Sequence, residues 1–437
     1  MNFEQLFKKA EAKGIESIQI YLEESQQIDL EVFKGDLEKH QMADSRGLTV
    51  QGIYKGKMGK FKTEIIDEKL FDQWVDDIIK SASLIESKDE VFIYEGSDKY
   101  EEVEGLYQED LETTDIKEKI DLVFDLEKRI SKIDSRVDIS EAFFHQVRKR
   151  VIIQNSKGLN LEKELNHAVL GGHVVAREND DSRSSYEFEH SNVLSDFNLD
   201  EIAKNCVDKA VSLLGAKSIK SGKYEVVLQN AASASLLAAY MSMFSAESVQ
   251  KGMSKLANKV GENIADNKIS IVDDPFRKKS PKSGAFDDEG VRTTYKELVS
   301  NGKLTGYMHN LKTAKKADTT STGNGFRGGI APTNFHIANG DVAYDEAVSK
   351  MEKGIIITDL QGTHSGTNPI SGDFSLQANG FYVEDGKIVK PLALITVAGN
   401  YLTLLNDVTE ICNDLKFGFS FIGSPSLKIS SLAISGE

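Results

Sequence analysis

Cysteine is scarce in this chain of 437 residues, long apolar runs are missing, and basic residues are outnumbered by acidic ones. Cys206 and Cys412 stand alone, outside any Cys-x-x-Cys or Cys/His spacing suited to a metal. Two thiols in so long a chain fit a reducing compartment, and their apolar surroundings predict buried, inert sulfhydryls. No window approaches about 18 uninterrupted apolar residues, and the opening Met1-Asn2-Phe3-Glu4 has no basic segment leading into an apolar one. Neither a membrane span nor a secretory leader is expected, and the expected location is cytoplasmic.

The formal net charge of -16 argues against nucleic acid, because phosphate binding depends on clustered Lys and Arg. The basic runs Arg148-Lys149-Arg150, Arg277-Lys278-Lys279 and Lys315-Lys316 are short and suit solvated faces. Chemistry-bearing spacings are equally sparse. There is no His-Glu pair, and no histidine lies between His190 and His309, so the central helices offer no imidazole to a helical zinc motif. No Gly-x-Ser-x-Gly elbow occurs.

What is present describes a folded α+β protein. Hydrophobic residues make up 40% and charged ones 28%, and the length favours two cores. The polar stretch Ser218 to Lys223 divides an N-terminal domain, 1–217, from a C-terminal domain, 218–437. Apolar alternation from Ser17 to Phe33, with glycines at 35, 47, 52, 56 and 59, predicts an antiparallel sheet that opens on a strand pair. Helical spacing of Phe71, Trp74, Val75 and Ile78, and of Ile116, Ile120, Val123 and Phe124, predicts two helices with Asp67 and Asp115 as N-caps. Strands follow at Val137 to Phe144, Val151 to Gln154 and His167 to Val175, then a helix from Asp200 to Leu214. In the second half the pattern predicts a strand at Tyr224 to Leu228 and helices at Ala231 to Met243, Glu247 to Asn258 and Tyr401 to Cys412. The rest should be mostly antiparallel and barrel-like, with a hairpin at Asp385-Gly386 and a closing strand at Leu427 to Ile434.

Several loops invite a functional reading. Gly323 to Gly328 matches G-x-G-x-x-G, but a polar stretch precedes it and Pro332 follows, so it is no dinucleotide fingerprint. Gly325, Arg327 and Gly328 are candidates for contact with a bound peptide or a partner, since glycine lets backbones approach closely. His336, after Pro332-Thr333-Asn334-Phe335, and His364-Ser365, between Gly362 and Gly366, are candidates of the same kind. A hydrolytic set built from Ser365, His364 and Asp359 or Asp373 is conceivable from sequence, though adjacency does not confer triad geometry. Asp287-Asp288-Glu289 before Gly290 suits a turn entering a strand better than a cation loop.

Phe286 to Arg292, Lys303-Leu304-Thr305-Gly306-Tyr307, Ser321 to Asn324, Gly354 to Gly362, Ser371 to Phe374, Gly380 to Ile388 and Ile395 to Asn400 together resemble the TldD/PmbA family, long called modulators of DNA gyrase. Gly47 to Val50 and Gly59 to Phe61 extend the likeness to the opening sheet. In that family the TldD branch carries an HExxxH helix and a downstream cysteine that bind zinc, and acts on extended peptides. Leu236 to Lys251, the equivalent stretch, has no histidine, and Lys416 to Gly423 has no cysteine. The chain is therefore similar to the PmbA/TldE branch. The resemblance implies no catalytic residue, no metal ligand and no cofactor of its own, an extended peptide as substrate, and pairing with a zinc-bearing TldD-like paralogue or with itself. A stand-alone hydrolase with unusual ligands and a protein-level regulator of gyrase are the alternatives.

Overall fold

The alternating apolar residues Ile18, Ile20, Leu22, Leu30 and Val32 form a single long strand, β1 (Ser17–Phe33), where a strand pair was expected. Lys34 and Gly35, both with positive φ, turn it into β2 (Asp36–Tyr54), which pairs at its far end with β3 (Lys57–Thr63). The computed structural model describes residues 2–86 and 89–437. With β4 (Val137–Asn155), β5 (Asn160–Glu178) and β6 (Asp181–Ser191) these strands make one antiparallel sheet in the order β3-β2-β1-β4-β5-β6. β4 unites two predicted strands. The basic run between them stays extended because cross-strand carboxylates receive it: Arg148 meets Glu164 at 2.6 Å, Lys149 meets Glu23 at 2.8 Å and Arg150 meets Glu162 at 2.7 Å.

Helices cover one face of this sheet at two places. α1 (Glu4–Ala12) and α2 (Phe71–Ser83) bury Leu6, Trp74, Val75 and Ile78 against Ile18, Ile20 and Val50. After the short α3 (Glu109–Thr113), α4 (Ile116–Ile133) and α5 (Leu199–Val211) bury Val123, Leu126, Ile130 and Ile202 against Leu30, Val32, Phe144 and Leu170. Asp115 caps α4 by accepting from Lys117 N at 2.7 Å, and Asp67 caps a 3-10 turn through Lys69 N at 2.9 Å. Cys206 lies in α5, where burial pushes its thiol up to about 12, and burial acts on Cys412 in the same way.

The second half is built on a barrel, as its pattern predicted. β7 (Gly222–Leu228) pairs in parallel with Lys353–Gln361, which pairs with Asp373–Glu384, then with Lys387–Asn400. Leu427–Ser435 pairs with both Lys387–Asn400 and β7 and closes the ring at five strands. The hairpin at Asp385-Gly386 stands as expected, with both residues at positive φ. A smaller sheet contains Ile271–Asp273, Lys296–Ser300, Phe335–Ile337 and Ile422–Ser424. Between it and the barrel runs α6 (Asn230–Tyr240), which contributes Leu236, Leu237 and Tyr240 to one core with Phe335, Ile355, Ile357 and Ile429.

Three predicted helices are shorter than their apolar spacing suggested. After Tyr240 the chain tightens into a 3-10 turn, Met241–Phe244. The next helix covers only Ala246–Gln250, because Gly252 takes a positive φ and Ser254 Oγ, bonded to Met243 O at 2.7 Å, draws the chain back. The last runs over Tyr401–Asn406 and gives way to the strand Val408–Ile411 beside Leu427–Ser435. Val408 and Ile411 satisfy a helical period from Leu404, yet tertiary pairing decides in favour of strand. Among the described residues no helix is long and apolar enough to cross a membrane.

Candidate functional site

α6 starts where β7 leaves the barrel, and its first turn is tied to the strands that precede the barrel's closure. Asn230 N donates to Ser426 Oγ at 3.0 Å, and Ser426 donates through N and Oγ to Asp414 at 2.8 and 2.7 Å. One turn on, the hydroxyls of Ser233 and Ser424 are 2.7 Å apart. The two stretches singled out in the sequence, Leu236 to Lys251 and Lys416 to Gly423, are thereby neighbours: α6 packs against Ile422–Ser424 and Lys416–Phe417. On α6 and its continuation Ala231 and Ser242 are exposed and Ser235 is half-buried, while Ala238 and Ala239 are half-buried against the core. Among the described residues, no group of three or more His, Cys, Asp or Glu side chains is placed to hold a metal.

Gly325, Arg327 and Gly328 lie in a small hairpin, Gly325–Phe326 against Gly329–Ile330. Arg327 and Gly328 both have positive φ, the requirement of a two-residue hairpin turn. The acidic triplet holds this hairpin. Asp287 Oδ2 accepts from Gly325 N and Asp288 Oδ2 from Arg327 N, each at 2.8 Å, while Glu289 Oε2 accepts from Leu311 N at 2.8 Å. A Cβ on Gly325 would stand 2.4 Å from Glu289 Oε2, so a larger residue there would have to displace the Glu289 side chain. The carboxylates therefore serve as backbone anchors at a turn. Burial, and then the charge of Glu289, push the Asp287 carboxyl up to about 8 against three backbone N–H donors that favour its ionised form.

Beneath the hairpin is a polar network that the sequence did not reveal. Asp273 is fully buried and accepts four bonds: from Thr333 N at 2.7 Å, Thr333 Oγ1 at 2.6 Å, Asn324 Nδ2 at 2.8 Å and Lys296 Nζ at 2.9 Å. Asn324 also donates to Ala331 O at 3.0 Å and accepts from Thr322 Oγ1 at 2.7 Å. One signal was available: Asp273 ends the apolar triplet Ile271-Val272-Asp273, where a lone carboxylate demands a partner.

His336 occupies the central strand of the small sheet, in register with Gly423, and burial lowers its pKa. Its Nδ1 is 2.9 Å from Asn334 O and its ring centroid 5.3 Å from that of Phe417. His364 and Ser365 are exposed on the turn Thr363–Gly366, which packs against α6 from another side. No hydrolytic set is assembled there. Ser365 Oγ donates to Gly362 O at 3.3 Å, Asp359 accepts from Gln361 at 3.0 Å, and Asp373 accepts from Asn400 at 2.8 Å.

Two further histidines are prominent only in three dimensions. His167 on β5 and His190 on β6 flank Phe421, with ring centroids 6.1 and 4.5 Å away. His190 Nδ1 and Nε2 and His167 Nδ1 are buried without hydrogen-bond partners. Burial pushes both imidazoles down to about 4, so they are neutral in the fold. Their stabilising contribution is complete above the unfolded value of about 6.5 and is lost as pH falls from there to about 4. Asp287 acts in the opposite sense, its contribution fading as pH rises from about 4 to about 8. The drop in melting temperature between pH 7 and pH 5 should accordingly shrink in His190→Phe, since one of the four imidazoles that burial holds below the free value, His167, His190, His309 and His336, is removed. An unchanged drop would show that these imidazoles do not govern acid sensitivity.

The comparisons with known proteins agree with this architecture. Residues 221–436 match the PmbA/TldA metallopeptidase C-terminal domain, and residues 109–214 match the PmbA/TldA metallopeptidase central domain. The metalloprotease PmbA of Escherichia coli O157:H7 is 27% identical over 322 residues, 73% of this chain and 70% of that protein. The crystal structure of a modulator of DNA gyrase from Thermotoga maritima superposes with a TM-score of 0.93 at 33% identity, covering 99% of both chains. The crystal structure of TldE from Thermococcus kodakarensis shares the fold, with a TM-score of 0.90 at 24% identity over 99% of this chain and 100% of that one. With two domain models spanning most of its length and a relative one-third identical from end to end, this chain belongs to the PmbA/TldD family of metallopeptidase-like proteins.

Proposed function

We propose that the chain is a PmbA/TldE-type subunit of a TldD/TldE-type peptidase system, one that contributes to peptide maturation or degradation without binding the catalytic zinc itself. The observation that carries this reading is the chemistry of α6. The zinc that the family resemblance implies finds no fitting donors on it. Leu236 to Lys251 offers no imidazole, and Phe417 to Ser424 alongside supplies no thiolate. Catalysis by such a subunit requires a partner that brings the metal.

The exposed hairpin tip at Arg327-Gly328, with His336 and the His364-Ser365 turn on elements that border α6, supplies the surfaces for an extended peptide or for that partner. The rival reading, a hydrolase acting alone, lacks support in the bonding of Ser365, Asp359 and Asp373. Two buried thiols and strong negative charge suit a cytoplasmic protein that does not bind nucleic acid.

Purification from the native cell tests the reading. The expected result is recovery of a second chain carrying HExxxH, zinc in the mixed complex, and digestion of casein only when both chains are present. Chelator-sensitive digestion by this chain alone would overturn it.

A further inference from the structure

Arginine is treated differently in the two halves of the chain. Six of the seven arginines in the first half, all but Arg46, have a carboxylate partner, whereas none of the three in the second half, Arg277, Arg292 and Arg327, has one among the described residues. In a chain of net charge -16 this is not for want of acids. Arg277 and Arg327 stand along the seam where the second half meets the face of the opening sheet that the helices leave uncovered.

The sheet brings two ammonium groups to that seam. Lys149 on β4 pairs with Leu165 on β5, so Lys163, two residues along β5, is its diagonal neighbour on the same face. Lys149 is met by Glu23 at 2.8 Å, but Lys163 has no carboxylate: its Nζ donates to Phe286 O at 3.3 Å and lies over the rings of Phe286 and Phe326, 5.0 and 6.0 Å from their centroids. The second half adds Lys282 and Arg327, both exposed, and neither side chain has an ion pair or hydrogen bond among the described residues. Asp288 is committed elsewhere, its Oδ1 accepting from Tyr21 Oη at 3.2 Å and its Oδ2 from Arg327 N at 2.8 Å. Although Lys282 keeps a face to solvent, desolvation by its surroundings lowers its pKa, and the neighbouring charges of Arg327 and Lys149 lower it further. Lys282 is also one of the charges that, after burial, hold the His167 imidazole down. His167 packs on Phe421, so the line of cations runs on to the turn between Phe417 and Ile422 that borders α6. There Arg277, from the same loop as Lys282, lies over Phe417, its guanidinium carbon 4.0 Å from the ring centroid.

We propose that Lys282 and Arg327, with Lys163 behind them, form a subsite for the carboxylate side chains of an extended peptide, so that acidic segments are the preferred substrates. A guanidinium at a hairpin tip is free to fork onto a carboxylate, and hydrogen bonds between ionised partners are about twice as strong as neutral ones. Cations spread along a seam fit several side chains of an extended chain better than they fit a single terminal carboxylate. The excess negative charge elsewhere on the chain repels an acidic peptide and so confines its binding to this seam. The inference rests on the reading of the chain as a peptide-handling subunit, but its test needs neither zinc nor a second chain.

Fluorescence anisotropy on the purified full chain, with labelled Gly/Ser peptides, measures the preference. One peptide carries a central run of Glu and an amidated C-terminus, a second has Gln in place of Glu, and a third is the Gln peptide with a free C-terminus. The Glu peptide is expected to bind at least about tenfold tighter than either Gln peptide, by an advantage that shrinks as salt is added. Lys282→Gln and Arg327→Asn should each weaken its binding about tenfold, the worth of one hydrogen bond between charged groups. Asn tolerates the positive φ at 327 and both side chains are exposed, so melting temperatures should not move. Lys128→Gln, on α4 across the sheet, should leave binding unchanged. Equal binding of the Glu and Gln peptides, binding that needs only a free C-terminus, or Glu-peptide binding that survives both substitutions would each overturn the proposal. Casein digestion by the two-chain preparation reports on the peptidase reading separately, so digestion without any preference for Glu would refute the subsite alone.

Discussion

Asp273→Ala should lower the stability of the protein by about 3–5 kcal/mol, the cost of breaking a buried ion pair from one side. Lys296 is only 13% exposed in its side chain, and its ammonium would be left with its charge uncompensated. Thr333 and Asn324 would lose acceptors in the same step. Asp273→Asn keeps the shape and two acceptor directions but not the charge, so a smaller loss is expected. The damage should also be local. Asn324 and Thr333 frame the segment that carries the Gly325–Ile330 hairpin, so limited proteolysis of Asp273→Ala should cut first between Thr322 and Thr333. Denaturant titration measures the first effect. A loss under about 1 kcal/mol would mean that the network is not the support assigned to it.

Gly380→Ala is expected to be at least as damaging, for a steric reason. Gly380 lies in the barrel at the point where the register between Lys353–Gln361 and Asp373–Glu384 slips. A Cβ there would sit 1.8 Å from Ile356 O and 2.9 Å from Ile356 C. Backbone atoms of a paired strand cannot rotate away, so the barrel must spread or the ladder must break. Overpacking of this kind costs about 3 kcal/mol or more, and the variant should be largely insoluble or melt well below the wild type. Gly306→Ala is the control, because nothing lies within 4 Å of its added Cβ. Equal melting of the two variants would refute the steric account.

Periodicity made much of the first half legible. The spacing of Ile116, Ile120 and Val123 with Asp115 ahead of them specified α4 and its cap, since both are local properties of a helix. The single strand β4 was less legible, because its basic run stays extended only through carboxylates on β1 and β5. Near Leu404 a helical period and an edge strand fit the same apolar residues, and only pairing with Leu427–Ser435 distinguishes them. At the candidate site, resemblance indicated the two stretches that α6 and Ile422–Ser424 bring together. It did not indicate that Asp287, Asp288 and Glu289 anchor the glycine hairpin, nor that Asp273 gathers Lys296, Asn324 and Thr333. These partners are remote in sequence, and hydrogen bonding between such residues leaves no periodic trace. The half-buried imidazoles of His167 and His190 were equally hidden, because their burial depends on Phe421 arriving from the other half of the chain.

The closure of the barrel has a consequence for biosynthesis. Leu427–Ser435 stands between β7 and Lys387–Asn400, so the ring cannot close on the ribosome until everything from Gln229 to Ser426 has been translated. The opening sheet needs no later strand and is free to form first. At about 5–20 residues per second, the apolar lining of β7 stays unsealed for roughly ten seconds or longer. During that interval it is exposed to chaperones and to aggregation, and slowing translation upstream of Leu427 would lengthen the exposure.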